Sequence, residues 1–230
     1  MKRFLLPSAL LIGAFAIPSV AQARPIELGA SAPAVRSKCP GDPCEVLART
    51  TGYQGRAGNV RNPFVIPHAG QIVAFTVNLA PLNDSQLQFF NTTFGSPPEV
   101  RLSILRRGKR RRTRLNHRLM AQSKLFPVDR YISKTRTTHP SFVLTPPLRV
   151  RRNYIVALTT PTWAPAFVGG ISTSNWWRSS RHRGHCSPRY VTERTAQQHI
   201  GGVRRYGCTY HGARVAYTAT YVPDPRPVSR

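Results

Sequence analysis

Carboxylates are what this sequence has least of for its size. Among 230 residues only Glu27, Asp42, Glu45, Asp84, Glu99, Asp129, Glu193 and Asp224 occur, and most fall where turns, a cysteine clasp or chain ends are expected. Hydrolysis by paired carboxylates needs two such groups in one cleft, so a glycosidase is not expected. Other signatures are missing too. No GxSxG elbow marks a serine hydrolase, and no glycine pattern cradles phosphate or a dinucleotide. No recognised DNA- or RNA-binding motif occurs, so specific nucleic-acid binding is not expected. Neither cysteine pair has CxxC spacing, which disfavours zinc on the His182, His185 and Cys186 cluster. No segment has a convincing helical period. A protein without catalysis, cofactor or metal is the expectation; a hydrolase of unrecognised type is kept as an alternative.

The beginning of the chain reads as an export signal. Lys2 and Arg3 precede an apolar run, Phe4 to Val20, and Ala21, Gln22, Ala23 give a small-x-small cleavage pattern. Residues 1–23 are therefore set aside. No later apolar run is long enough to span a bilayer, and no cysteine at the cleavage site would accept a lipid. The expected location is secreted or extracellular, with association to the cell envelope as a variant.

What the chain has in excess is positive charge. The formal net charge is +26, nearly all from arginine, because the lysines are Lys2, Lys38, Lys109, Lys124 and Lys134 alone. Such a field favours polyanions: nucleic acid, anionic polymer or membrane surface. Codon bias in a GC-rich genome also yields arginine, and composition alone does not separate the two origins.

Cys39, Cys44, Cys186 and Cys208 form an even set, which in an exported protein argues for disulfides. Proximity favours Cys39 with Cys44 and Cys186 with Cys208. The second pair would close a loop of about 20 residues and contribute about 3 kcal/mol in the loop-entropy model.

Alternation of apolar and polar positions supplies the fold class. Residues 24–38 lack periodicity and read as a flexible lead-in, and CPGDPC (39–44) as a clasp. Strands are expected over 45–52, 64–66, 71–79, 99–105, 115–121 and 125–132. Phe142 to Leu144 with Leu148 to Val150, and then Tyr154 to Thr160, read as antiparallel strands paired across the polar turn Arg151, Arg152, Asn153. Residues 81–98 read as a long connection whose Leu87, Phe89, Phe90 and Phe94 pack down as a lid. Residues 169–202 read as irregular, 206–221 as a last long strand, and 223–230 as a frayed tail. The expectation is an all-β, antiparallel β-sandwich over 39–222, a jelly roll being its candidate form, with long irregular loops.

The pieces VLARTTGY, PHAGQIVAFTV, LRVRRNYIVALTTPTWAPAF, NWWRSSR and YGCTYHGARVAYTATY give the chain a further bearing. Over residues 44–222 it resembles small secreted β-sandwich proteins of uncharacterised function from GC-rich soil bacteria. The resemblance implies an extracellular fold and carries no site residues.

Two binding sites are expected from residue type. Arg106, Arg107, Lys109, Arg110, Arg111, Arg112 and Arg114 would form a cationic hairpin tip, helped by Arg149, Arg151, Arg152, Arg181 and Arg183. Guanidinium groups suit bidentate contact with phosphate or carboxylate, so the partners would be anionic polymers or cell-wall polysaccharide. The alternative is a carbohydrate-binding module in which exposed Trp163, Trp176, Trp177 and Tyr190 stack on sugar rings.

Overall fold

The computed structural model describes residues 24–30, 45–187 and 192–225. The expected leader (1–23), the clasp Cys39–Cys44 and the end of the tail lie outside the described residues. In chain order the elements are β1 (Ile26–Leu28), β2 (Leu47–Ala57), β3 (Val60–Arg61), β4 (Gly70–Val77), α1 (Asp84–Phe94), β5 (Glu99–Arg107), β6 (Asn116–Gln122), β7 (Phe126–Pro127), β8 (Ser141–Val150), β9 (Tyr154–Ala164), β10 (Phe167–Val168), β11 (Trp176–Ser179), β12 (Val203–Arg205), β13 (Cys208–His211), β14 (Arg214–Val215) and β15 (Tyr217–Pro223).

These strands make an all-β sandwich. The larger layer has nine strands in the order β12-β6-β5-β9-β2-β11-β13, with β3 paired to β2 and β7 to β5. The smaller layer has four, β1-β15-β4-β8, and β10 pairs with β14 in a two-stranded ribbon. Between the layers Ile72, Phe75, Phe142, Leu148 and Val150 of the small sheet meet Val100, Leu102, Ile104, Val156 and Leu158 of the large one. The alternation predicted for β5 is this inward face; in β4 a register shift between Ile72 and Ala74 brings Ile72, rather than Val73, to the same side as Phe75 and Val77, so strict alternation holds only from Phe75 onward.

The central stretch departs from its reading. β8 pairs with β4, whereas β9 pairs with β2 and β5, so the two strands are not a hairpin. Arg151 to Asn153 instead arches from one layer to the other. Asn153 takes a left-handed φ of 66°, which Asn tolerates, and its N–H donates to the Ile66 carbonyl at 2.8 Å. Strands that share a core look alike in sequence whether they lie side by side or face to face.

The 81–98 connection is corrected as well, since it contains α1. Asn83 caps it: its side chain accepts from the Gln86 N–H at 2.9 Å, and the Gln86 side chain accepts from the Asn83 N–H at 3.0 Å. This reciprocal pair is a capping box. Phe90 and Phe94, one turn apart, bury against Trp163, the Phe90 and Trp163 ring centroids lying 5.0 Å apart. Phe89 points outward and is 59% exposed.

Phe64 to Ile66 contributes one isolated bridge, Val65 to Ile155, and 125–132 only β7 and a 3-10 turn at Asp129–Tyr131. The reputedly irregular 169–202 holds β11, which pairs with both β2 and β13. The last strand is divided among β13, β14 and β15 as the chain crosses between sheets. Part of the lead-in is ordered as β1 on β15, and the tail is tied at Asp224, whose N–H donates to the Ala69 carbonyl. The disulfide Cys186–Cys208 is present. No helix among the described residues is long and apolar enough to cross a membrane.

Removing the α1 anchor tests this packing. Phe90→Ala is expected to cost about 3–5 kcal/mol in urea unfolding, while Phe89→Ala stays within about 0.5 kcal/mol of the parent.

Candidate functional site

β5 and β6 form a hairpin whose loop carries the basic run. Arg106, Arg107, Lys109, Arg110, Arg111, Arg112 and Arg114 are all exposed. The loop is closed by the Gly108 N–H on the Asn116 carbonyl (2.8 Å) and tightened by a 3-10 turn over Arg111–Thr113.

Strand register extends this tip sideways. Arg106 stands directly opposite Arg118, and Arg107 opposite His117. β12 then places Arg204 opposite His117 and Arg205 opposite Asn116. On the other side Arg106 is opposite Tyr154, so the arch carrying exposed Arg151 and Arg152 sits at the same end of the sheet. Arg56 opposite Arg61, near the end of β2, joins them. Like charges directly opposite on neighbouring strands are destabilising, yet this end collects them.

The large sheet's carboxylates lie at its other end. Glu99 opens β5, its N–H donating to Thr162 Oγ1 at 3.0 Å, and stands opposite Pro127, two residues before Asp129. Glu45 precedes Leu47, the partner of Ala164. Along β5 alone, Glu99 and Arg107 are separated by roughly 25 Å at strand rise. Ion pairs among the described residues are Lys134–Asp84, Arg149–Asp224 and His185–Glu193; none involves the hairpin tip.

The expected helpers divide. Arg149 is engaged by Asp224, and Arg183 is exposed. Arg181 does not reach the surface: it is buried and donates to the Ala48 carbonyl at 3.0 Å.

The expected sugar platform is corrected by burial. Trp163 is 0% exposed, its Nε1 donating to Asn91 Oδ1 at 3.2 Å. Trp177 is 5% exposed and stacks on Tyr210 with ring centroids 4.5 Å apart. Trp176 is half-buried, with Arg178 over its ring at 5.7 Å. Both β11 indoles press against glycine: a Cβ on Gly55 would fall 1.8 Å from Trp176, and one on Gly52 2.7 Å from Trp177. Tyr190 lies outside the described residues.

A cleft of about 190 Å³ opens beside β14, lined by Gln54, Phe64, Asn78, Val168, Arg214 and Tyr217 among others. Its lining has arginine but no histidine, carboxylate or tryptophan. Gln54 is spent on structure, its Nε2 donating to the Arg56, Trp176 and Ala213 carbonyls and its Oε1 accepting from the Val215 N–H. The His185–Glu193 pair, at 2.8 Å, is not among the residues lining this cleft.

Sequence reasoning missed a buried polar seam on the outer face of the large sheet. Thr51, Ser103 and Thr159 hydroxyls join there at 2.6–2.9 Å. Gln197 closes the seam: its N–H donates to Thr51 Oγ1, its Nε2 to the His117 and Gly202 carbonyls, and its Oε1 accepts from the Tyr206 hydroxyl. His117 is 0% exposed. Its Nδ1 lies 2.9 Å from the Leu115 carbonyl and so donates; its Nε2, 3.0 Å from the Tyr53 hydroxyl, is left to accept. Burial pushes the imidazole down to about 4, opposed by the Leu115 carbonyl and helped by Arg107 and Arg178. Burial also pushes the Tyr53 phenol up to about 12. Sealed from solutes, these groups hold β6 and β12 in place beneath the arginines.

The seam makes stability pH-dependent. From about 4 to 6.5 the unfolded chain binds a proton at this position that the folded chain refuses, so stability falls as pH drops through that window and is complete above it. The loss attributable to His117 is expected to reach about 3 kcal/mol near pH 4. Urea unfolding at several pH values should show it, and His117→Gln should flatten that part of the profile. No protein-family model, curated protein or solved structure matches this chain.

Proposed function

We propose that this is an exported protein without catalysis that acts at or outside the cell envelope by contacting anionic polymers. The contact surface is the cationic end of the large sheet. One observation carries this reading: cations from separate strands converge on one end without ion pairing at the hairpin tip, while Glu45 and Glu99 stand at the other. Codon bias would account for the amount of arginine but not for its placement. The disulfide Cys186–Cys208 supports an oxidising compartment. Stacking on sugar rings has less support, because Trp163 and Trp177 offer no free face.

Retention on immobilised heparin tests the reading. The protein should bind at low salt and lose affinity steeply as salt rises. Replacing Arg106, Arg110, Arg111 and Arg112 by Gln should reduce the slope of log affinity against log salt by about 0.7–0.9 for each contact removed. Lys134→Gln, at a paired lysine, should change nothing. Flow-through of the parent protein at low salt would refute the proposal.

A further inference from the structure

The cationic end also carries an apolar corner. The chain enters β12 through a tight turn, His199 to Gly202, closed by the Gly202 N–H on the His199 carbonyl at 3.1 Å. Gly201 takes a φ of 83° at its third position, as a type II turn requires. Ile200, at the second position, is 56% exposed, and Val203 just beyond is 54% exposed. Scattered surface hydrophobes need no explanation, but this corner is rigidly built. The Gly201 N–H donates to the Leu119 carbonyl (2.8 Å), the Leu119 N–H to the Gly202 carbonyl (3.0 Å), and the Arg118 guanidinium to the Gly201 carbonyl. Register sets Val203 opposite Arg118, and Arg118 opposite Arg106. Two exposed aliphatic side chains are thus held inside a field of cations.

A hydrophilic polyanion would have no use for Ile200 or Val203. A lipid surface would: aliphatic side chains enter the boundary between headgroups and acyl chains, while arginines meet the phosphates. We infer that this corner docks the protein on an anionic phospholipid surface, with Ile200 and Val203 inserted and Arg106, Arg118, Arg205 and the hairpin tip on the headgroups. The inference rests on the proposed reading of this end as an anion-contacting surface and adds what kind of anion it fits.

Co-sedimentation with vesicles, run beside heparin retention, tests it. The parent protein should bind vesicles containing phosphatidylglycerol and not vesicles of phosphatidylcholine alone. Ile200→Ser with Val203→Ser should lower vesicle partitioning about tenfold, from the lost apolar insertion, and leave the salt needed for heparin elution unchanged. Both side chains are exposed, so an unchanged urea midpoint is expected to accompany this split. Undiminished vesicle binding by the double variant, or heparin retention by the parent without any vesicle binding, would overturn the inference and leave polymer binding standing. Failure of the parent on both supports would overturn the two together.

Discussion

The structure depends on closing the second face of its large sheet with hydrogen bonds. β9 is buried on both sides: Val156 and Leu158 enter the core between the layers, while Ile155 and Ala157 lie against Tyr53, Leu105, Leu119 and Tyr206 on the other. Beside that smaller apolar cluster run hydroxyls and amides that would be costly to bury unpaired. Gln197 satisfies them. It reaches Thr51 on β2, His117 on β6 and Tyr206 beyond β12, and its own carbonyl accepts from Gln122 Nε2 at 2.9 Å. Because each of its hydrogen-bonding groups is engaged, the strap around residue 197 has one position on the sheet.

That constraint links fold to surface. Fixing the strap fixes the 199–202 turn and β12, and with them Arg204, Arg205, Ile200 and Val203 at the sheet's edge. The antiparallel order of β12, β6, β5 and β9 then brings their charged ends together instead of alternating them. Mutual repulsion among those arginines is opposed by a core that does not involve them, so the charge can be carried at some cost in stability without loosening the sandwich.

Much of the sandwich was legible in the sequence, because β5 and most of β4 alternate apolar and polar residues and so present one apolar side; the register shift beside Val73, which turns Ile72 inward, was not. The exchange between layers at Arg151 to Asn153 was not, since hydrophobic period reports which side of a strand is buried and not which strand lies beside it. α1 went unread although Asn83 and Gln86 have capping-box spacing and Phe90 and Phe94 lie one turn apart, because adjacent Phe89, Thr92 and Thr93 blur the helical period. β11 was hidden because both indoles pack on glycines of β2, a fit that exists only once the strands are neighbours. The seam was hidden for a related reason: Thr51, Ser103, Gln122 and Gln197 look like solvent-facing residues until register brings them together. The basic tip could be read directly, whereas its extension to Arg118, Arg204 and Arg205 needed the strand order.

Gln197→Met keeps approximate volume and removes the side-chain hydrogen bonds, which isolates the central claim. Urea unfolding at neutral pH should show a loss of about 3 kcal/mol or more, because the Tyr206 hydroxyl and the His117 and Gly202 carbonyls lose their buried partner together. A loss below about 0.5 kcal/mol would contradict the account, for the strap would then be held by something other than this seam.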